Sequence, residues 1–399
     1  MKKIVFLIIT FLSIFILPLI GSIIKWDGLP PGYGLFPSQK VLEPPGFSLS
    51  FFVVGCTIAL FLAVFLIFPR LFGFSKVKIH AQHPSSANTK FPLWFWIAIP
   101  VLLFCWLVMW SQLPVFKFFE AYTFVPLWWS FIFLLDGIVY KRNSGVSLIS
   151  SKPRLLQLLA IVSCFSWFAF EYLNYFVVSN WYYPNKDVFS NFGNIFWFSL
   201  SYTTVLPAIV EWYLLLKTFP KLNERYSSGP RISLNKPVMI TLYVLGLVLA
   251  VAMGYFPHQL FFVLWLALVP LLSAAMGLSG LWNPFTSIRE GNWSPILLIA
   301  IATVLNGFFW ELWNYGIEYF NGGAPTNPNY WKYSVPYLDK LHVFSEMPFL
   351  GYYGYLFFGV NCWIIWLTAA YIFKFDANFE LPAREKQSVR SDRHDYFLR

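Results

Sequence analysis

This chain is short of charge. Only 12% of its 399 residues are Asp, Glu, Lys or Arg, against 58% hydrophobic and 22% aromatic. A water-soluble domain of this length cannot cover its surface with so little charge, so the composition points to a polytopic membrane protein. Cysteine is scarce too: Cys56, Cys105, Cys164 and Cys362 all fall inside apolar runs without metal-type spacing. They read as small core residues, which predicts no structural disulfide and no zinc site. Basic residues outnumber acidic ones, 28 to 18, yet they are scattered through short loops and form no stripe of the kind that holds nucleic acid. Also missing are a P-loop, a G-x-S-x-G elbow and an H-E-x-x-H helix, which removes most ATP-driven and hydrolytic functions. No cofactor is expected.

What the chain does have is long apolar runs. A spanning helix needs roughly 20 apolar residues, and ten segments qualify: 4–24, 49–68, 94–113, 121–140, 155–178, 195–216, 237–256, 260–281, 294–317 and 347–373. Alternate loops differ sharply in charge. One side takes Lys2, Lys3, four Lys or Arg in 69–93, four in 141–154, five in 217–236, Arg289 and six from Lys374 onward; the other takes only Lys25, Lys40, Lys117, Lys186, Lys332 and Lys340. Because cytoplasmic loops retain positive charge, both termini are expected in the cytoplasm, in a bacterial cytoplasmic membrane. The opening "MKK" and the small residues Gly21 and Ser22 also fit a signal peptide, but the 21-residue apolar length favours a retained helix. Residues 29–47, "LPPGYGLFPSQKVLEPPGF", are rich in Pro and Gly and should form an irregular external loop. The tail 376–399 mixes charge signs without an apolar period and is expected to be disordered.

Two helices at 1–93 thus precede what looks like a duplication, with spans three to six (94–217) and seven to ten (237–373) as two four-helix units. "FAFEYLNYFVVSNW" (Phe168 to Trp181) and "FFWELWNYGIEYF" (Phe308 to Phe320) share the pattern Glu-x-x-Asn-Tyr; "FVPL" around Pro126 matches "LVPL" around Pro270, and "VLP" at Pro207 is set against "EMP" at Pro348. An even number of spans per unit gives both copies one orientation, about an axis along the membrane normal. The fold class predicted is therefore an all-α polytopic membrane protein of about ten helices, with two parallel four-helix repeats. The apolar run after Pro348 is much longer than that after Pro207, so the last span should hold a tilted or broken helix.

The repeated motif is where chemistry would sit. Glu171 and Glu311 each lie about 24 Å along an outward-running helix at ~1.5 Å per residue, in the outer-leaflet half. A carboxyl in hydrocarbon normally faces the bundle interior or water, and no Lys or Arg is available at that depth, so each should be protonated, hydrogen-bonded or bound to a ligand. The i, i+3 spacing puts Asn174 and Asn314 beside them on one helix face. Two readings stay open: each Asn satisfies its neighbouring Glu and locks helix packing, or the two faces form a shared site with Glu346 and His342. In the second, Glu311 is the acid, Glu346 or Glu171 the base, and Asn174 and Asn314 orient the substrate. A di-metal bundle would want Glu-x-x-His, and Asn stands where His should be, so no metal is predicted. Trp181, Tyr182, Tyr183, Trp331 and Tyr333 flank the motif helices, as an interfacial belt or as the roof of a cavity for a lipophilic chain. His80, His83, Asp136, Glu211 and His258 lie nearer helix ends and loops and read as solvated or packing residues.

Around these residues the chain resembles the membrane carotenoid cyclases of the lycopene cyclase-domain type. In that family a polar residue late in one helix precedes a W-x-Y loop, and a carboxylate beside a proline opens the next helix. Glu171, "NWYYP" (Asn180 to Pro184) and Pro207 stand for one unit here, and Glu311, "YWKY" (Tyr330 to Tyr333) and "EMP" (Glu346 to Pro348) for the other. The family's carboxylate follows its proline, whereas Glu346 precedes Pro348, and Thr204 and Val205 stand where the first unit would want one. The functional expectation is an integral-membrane enzyme using carboxyl acid–base chemistry on an isoprenoid or other lipid substrate in an outer-leaflet cavity. The alternatives are a proton-coupled transporter or flippase, and a structural or assembly subunit. The expected partner is a membrane lipid or lipophilic small molecule, and no nucleic acid.

Overall fold

The computed structural model describes residues 2–75, 89–111, 113–342 and 345–381; His80 and His83 lie outside them. Backbone N–H and C=O groups find no water in hydrocarbon, so apolar runs satisfy them internally as helices. In chain order these are α1 (Lys2–Trp26), α2 (Leu49–Ile67), α3 (Leu93–Trp110), α4 (Phe124–Arg142), α5 (Pro153–Asn174), α6 (Asn191–Tyr202), α7 (Val205–Lys217), α8 (Lys236–Tyr255), α9 (Val263–Leu266), α10 (Leu268–Leu278), α11 (Ser294–Asn321) and α12 (Gly354–Phe373). With α6 and α7 taken as one interrupted helix, and the 3-10 turn Phe349–Tyr353 as the start of the last, nine elements among the described residues are long and apolar enough to cross a membrane. The chain is an all-α membrane protein.

The eighth predicted span is the exception. Its run folds as α9 and α10, together spanning Val263 to Leu278, which at ~1.5 Å per residue covers about 24 Å of a ~30 Å hydrocarbon core. Three prolines mark helix starts rather than breaks within helices. Pro126, Pro207 and Pro270 are the third residues of α4, α7 and α10, inside the first turn where a missing N–H leaves no gap. The last element is interrupted as its length implied, by the 3-10 turn that leads into α12.

Packing follows one scheme twice. α4 lies against α3 and α7, and α5 against α7; likewise α10 lies against α8 and α12, and α11 against α12. Across the middle, α7 meets α11 and α12 meets α5. α1 attaches to α8 by backbone approach: a Cβ at Gly21 would stand 1.9 Å from the Val251 carbonyl oxygen, and one at Gly254 2.0 Å from that of Pro18. Small residues at this crossing let two helices touch where lipid tails supply no hydrophobic drive. The first residues of the tail expected to be disordered, 376–381, are packed instead. Phe379 is buried in the core, Glu380 pairs with Lys217 at 3.0 Å, and Trp366 donates to the Ala377 carbonyl; one apolar ring and one charge partner suffice to hold 376–381, and 382–399 lie outside the described residues.

Two outcomes test this arrangement. Ser233 and Ala324 are separated by α8, the α9–α10 pair and α11, so single cysteines at these positions should lie on opposite faces of the membrane. A membrane-impermeant thiol reagent applied to one side should label one and spare the other; equal labelling overturns the path of α8 to α11. Gly254→Leu should drive α1 off α8 and lower the thermal midpoint of the detergent-solubilised chain, overpacking of this kind costing about 1–3 kcal/mol.

Candidate functional site

The last turns of α5 place Trp167, Glu171 and Asn174 on one face, at i, i+4 and i+7. Beyond the helix the chain reverses through Val178 and Ser179, both with positive φ, and returns as strand β1 (Trp181–Tyr182). α11 ends at Gly322, a left-handed cap, and its return segment carries strand β2 (Lys332–Tyr333). The strands pair antiparallel, Trp181 opposite Tyr333 and Tyr182 opposite Lys332.

Each asparagine latches its own return segment instead of its glutamate. Asn174 Nδ2 donates to the Trp181 carbonyl at 2.9 Å; Asn314 Nδ2 donates to the Trp331 carbonyl at 2.8 Å, and its Oδ1 accepts from the Trp331 amide at 2.9 Å. The expectation that each asparagine satisfies its neighbouring glutamate is thereby corrected. A short amide at i+3 reaches the unpaired backbone of the returning chain, which needs a partner more than the carboxyl does.

The carboxyls are held by aromatic donors. Glu171 Oε1 accepts from Tyr183 Oη at 2.7 Å, Trp181 Nε1 at 2.9 Å, Trp167 Nε1 at 3.0 Å and Tyr202 Oη at 3.1 Å; Oε2 accepts from Ser38 Oγ at 2.8 Å. Ser38, from the Pro- and Gly-rich loop 29–47, is itself fully buried. Its hydroxyl also accepts from Asn174 Nδ2 at 3.3 Å, so that asparagine acts on Glu171 at one remove. Glu311 has the same pair of phenols, Tyr333 at 2.6 Å and Tyr355 at 2.7 Å, both on Oε1. Trp331 Nε1 donates to Tyr333 Oη at 2.7 Å and not to the carboxyl. Glu311 Oε2 has no hydrogen-bond partner among the described residues, although the Met347 amide lies toward it. One carboxyl is saturated with donors; its counterpart keeps an uncommitted oxygen. Burial, and then the neighbouring carboxyl charge, push the Tyr183 and Tyr333 phenols well above their usual range, so both keep their protons and remain donors.

These phenols and indoles face one shared cavity of about 510 Å³. Tyr183, Tyr202, Trp181 and Trp167 line it from the α5 to α6 stretch; Tyr333, Tyr355 and Trp331 from the α11 to α12 stretch. Glu171 and Glu311 stand behind that layer, both buried. Tyr202, Tyr355, Trp167 and Ser38 escaped sequence reasoning. The one signal present was that Tyr202 and Tyr355 each occupy the helix following a motif glutamate.

Glu346 and His342 are placed elsewhere. Met347 lines the cavity but Glu346 does not; it turns toward Tyr330, Lys332 and Glu318, and burial pushes its carboxyl up. The attraction is Lys332, which pairs with Glu318 at 2.8 Å while Tyr330 hydrogen-bonds the same carboxyl. His342 is exposed and pairs with Asp339 at 2.7 Å. Glu346 acts on Glu311 through its charge without a hydrogen bond to it, and His342 makes no hydrogen bond or ion pair with either motif carboxyl among the described residues. Asp136 and Glu211, read as packing residues, meet instead in a second buried cluster. Asp136 accepts from Trp94 Nε1, Ser147 Oγ and the Ile149 amide at 2.8–3.0 Å. Glu211 lies beside Asp136, and neither of its oxygens has a hydrogen-bond partner among the described residues. Among the described residues no three His, Cys, Asp or Glu side chains converge as a metal site.

Comparison with protein-family models, curated proteins and solved structures returns no match.

The unequal hydrogen bonding of the two glutamates predicts unequal tolerance. Glu171→Gln must turn an NH2 group toward a serine donor or four aromatic ones, leaving buried donors unmatched at about 1–3 kcal/mol, and should lower the thermal midpoint in detergent. Glu311→Gln can place its NH2 at the uncommitted Oε2 position and should melt close to wild type. Equal loss in both variants overturns the distinction.

Proposed function

We propose that the chain is an integral-membrane enzyme that acts on a lipophilic substrate in the aromatic cavity, by acid–base chemistry relayed from Glu311 through Tyr355 and Tyr333. The observation that carries this reading is the layering: an apolar chamber, a wall of phenols whose hydroxyls are bonded to a buried carboxyl, and one carboxyl oxygen uncommitted. A chamber of about 510 Å³ lies in the range of small-molecule sites. Its walls exclude water, which favours reactions passing through a carbocation. In such a step a phenol proton goes to a substrate double bond while the phenol takes one from Glu311. A base then removes a proton from the carbon beside the cation, so the substrate is rearranged without a redox partner. Glu171, surrounded by donors, is the base best supplied to stay anionic, with Tyr183 and Tyr202 passing the proton.

The motif resemblance to lycopene cyclase-domain proteins supports an isoprenoid within the lipophilic class. The recurring helix pairings and the matched cages around Glu171 and Glu311 support two parallel four-helix units, 94–217 and 237–373, about an axis through the paired strands. The charge asymmetry of the loops supports termini in the cytoplasm and a cavity in the outer-leaflet half of a bacterial cytoplasmic membrane. A second reading, a proton-coupled transporter or flippase, is favoured by one observation, the two neighbouring buried carboxyls of Asp136 and Glu211.

Membranes from cells making the wild-type chain should contain an altered lipid, identified by mass spectrometry of solvent extracts. Glu311→Gln should reduce its amount by about 10²–10⁴-fold, the usual contribution of a general acid, while the protein still folds, and Tyr355→Phe should do the same in part. An unchanged lipid profile with a Glu311→Gln chain indistinguishable from wild type overturns the enzyme reading.

A further inference from the structure

We infer that the cavity takes its ligand sideways, out of the bilayer hydrocarbon and past α2, so that the ligand is a molecule dissolved in the membrane by an apolar chain. This rests on the cavity being the working site, as proposed above, and adds the route and the physical form of what enters.

α2 is the least covered of the spanning helices, with Ala59 its single buried residue. Its ends are fixed. At one, the Ser48 amide donates to the Tyr337 carbonyl at 3.0 Å and the Phe51 ring stacks on Tyr337 with centroids 4.3 Å apart. At the other, Tyr226 Oη donates to the Leu66 carbonyl at 2.8 Å and Arg225 to that of Ile67. Between these clamps Val54, Gly55, Ile58, Ala59 and Leu62 form a wall of the cavity. Val54 and Ile58 remain 59% and 53% exposed although they line it: the helix spans the chamber as a bar and is not seated on its floor. A close approach in the middle is at Gly55, where a Cβ would stand 3.0 Å from Leu350 Cδ1 and 3.8 Å from Leu338 Cδ2.

The energetics of displacing such a bar depend on what replaces it. In water, baring the chamber would expose apolar wall at about 25 cal/mol per Å². In a bilayer, lipid tails are as apolar as the side chains they replace, so the hydrophobic penalty vanishes and packing contacts alone are lost. Among the described residues no hydrogen bond across the middle of α2 has to break: Thr57 bonds back to the Val53 carbonyl within its own helix at 2.8 Å. Toward the loop end the chamber is roofed by Asn180, Trp181 and Tyr333 around the paired strands, where the backbone is tied across both units. The side facing lipid is the one held by dispersion alone.

The full-length chain in phosphatidylcholine vesicles containing a phosphatidylcholine with a diazirine in its acyl tail provides the test. On illumination, adducts should appear at the lipid-facing Leu60 and Phe61 of α2 and also at the cavity residues Trp265 and Tyr355. In a chain with Cys56→Ala, Gly55→Cys and Leu350→Cys, oxidation should pin α2 to the body. Cavity adducts should then fall on the order of tenfold, as for a closed lid, with those at Leu60 and Phe61 unchanged, and reduction should restore them. Cavity adducts that ignore the pin overturn the route. So do adducts confined to α2 in the wild-type chain, a result that needs no variant to fold. The readout is admission, not turnover: a chain that admits the tail and leaves every lipid unaltered upholds the route and counts against the enzyme reading.

Discussion

A carboxyl group inside hydrocarbon has no water to accept hydrogens from, and the protein has to supply them. This constraint organises the middle of the molecule. Glu171 draws five donors from four separate segments: Ser38 from the loop after α1, Trp167 from its own helix, Trp181 and Tyr183 from the returning chain, and Tyr202 from the end of α6. Meeting the demand of one side chain thus fixes where four stretches of chain pass. The aromatic wall of the cavity is the outer surface of that knot, because each donor ring turns its polar atom inward and its apolar body toward the chamber.

The knot around Glu311 is built to the same plan with fewer donors. Trp331 spends its N–H on Tyr333 rather than on the carboxyl, and the described residues supply no second serine. A difference of this size separates a group whose environment is complete from one that can still change partners. Similar pairs of carboxyls with unlike surroundings are the usual basis for assigning one to give a proton and the other to take it.

The sequence made the membrane class, the helix positions and the two glutamates legible, because apolar length and an isolated charge in an apolar run are local signals. Partners were not legible. Nothing within a few residues of Glu171 indicates Ser38, 133 positions earlier, and the i+3 asparagine was a plausible partner until the returning backbone came within its reach. Glu346 and His342 were grouped with the site by nearness in sequence to the last span; Lys332 and Asp339 drew them away, and both are loop charges whose placement depends on how the chain folds back. The eighth span folds shorter than its apolar run, because hydropathy measures how apolar a run is and takes no account of where its helix stops. Asp136 and Glu211 sit on helices with an entire span between them, and their meeting is a product of how α4 and α7 pack.

The two-residue ladder between β1 and β2 has a mechanical consequence. It ties together the chain ends leaving α5 and α11, the helices that carry the two glutamates, and the Ser334 amide adds a further bond to the Asn180 carbonyl at 2.8 Å. Two long rods fastened at one tip can rotate about that fastening but cannot slide or part there. Relative movement of the two helices is therefore a hinge motion of smallest amplitude beside the strands and largest at the far tips. The carboxyl cages, which take Trp181 and Tyr333 from the strands themselves, lie by the pivot and keep their geometry.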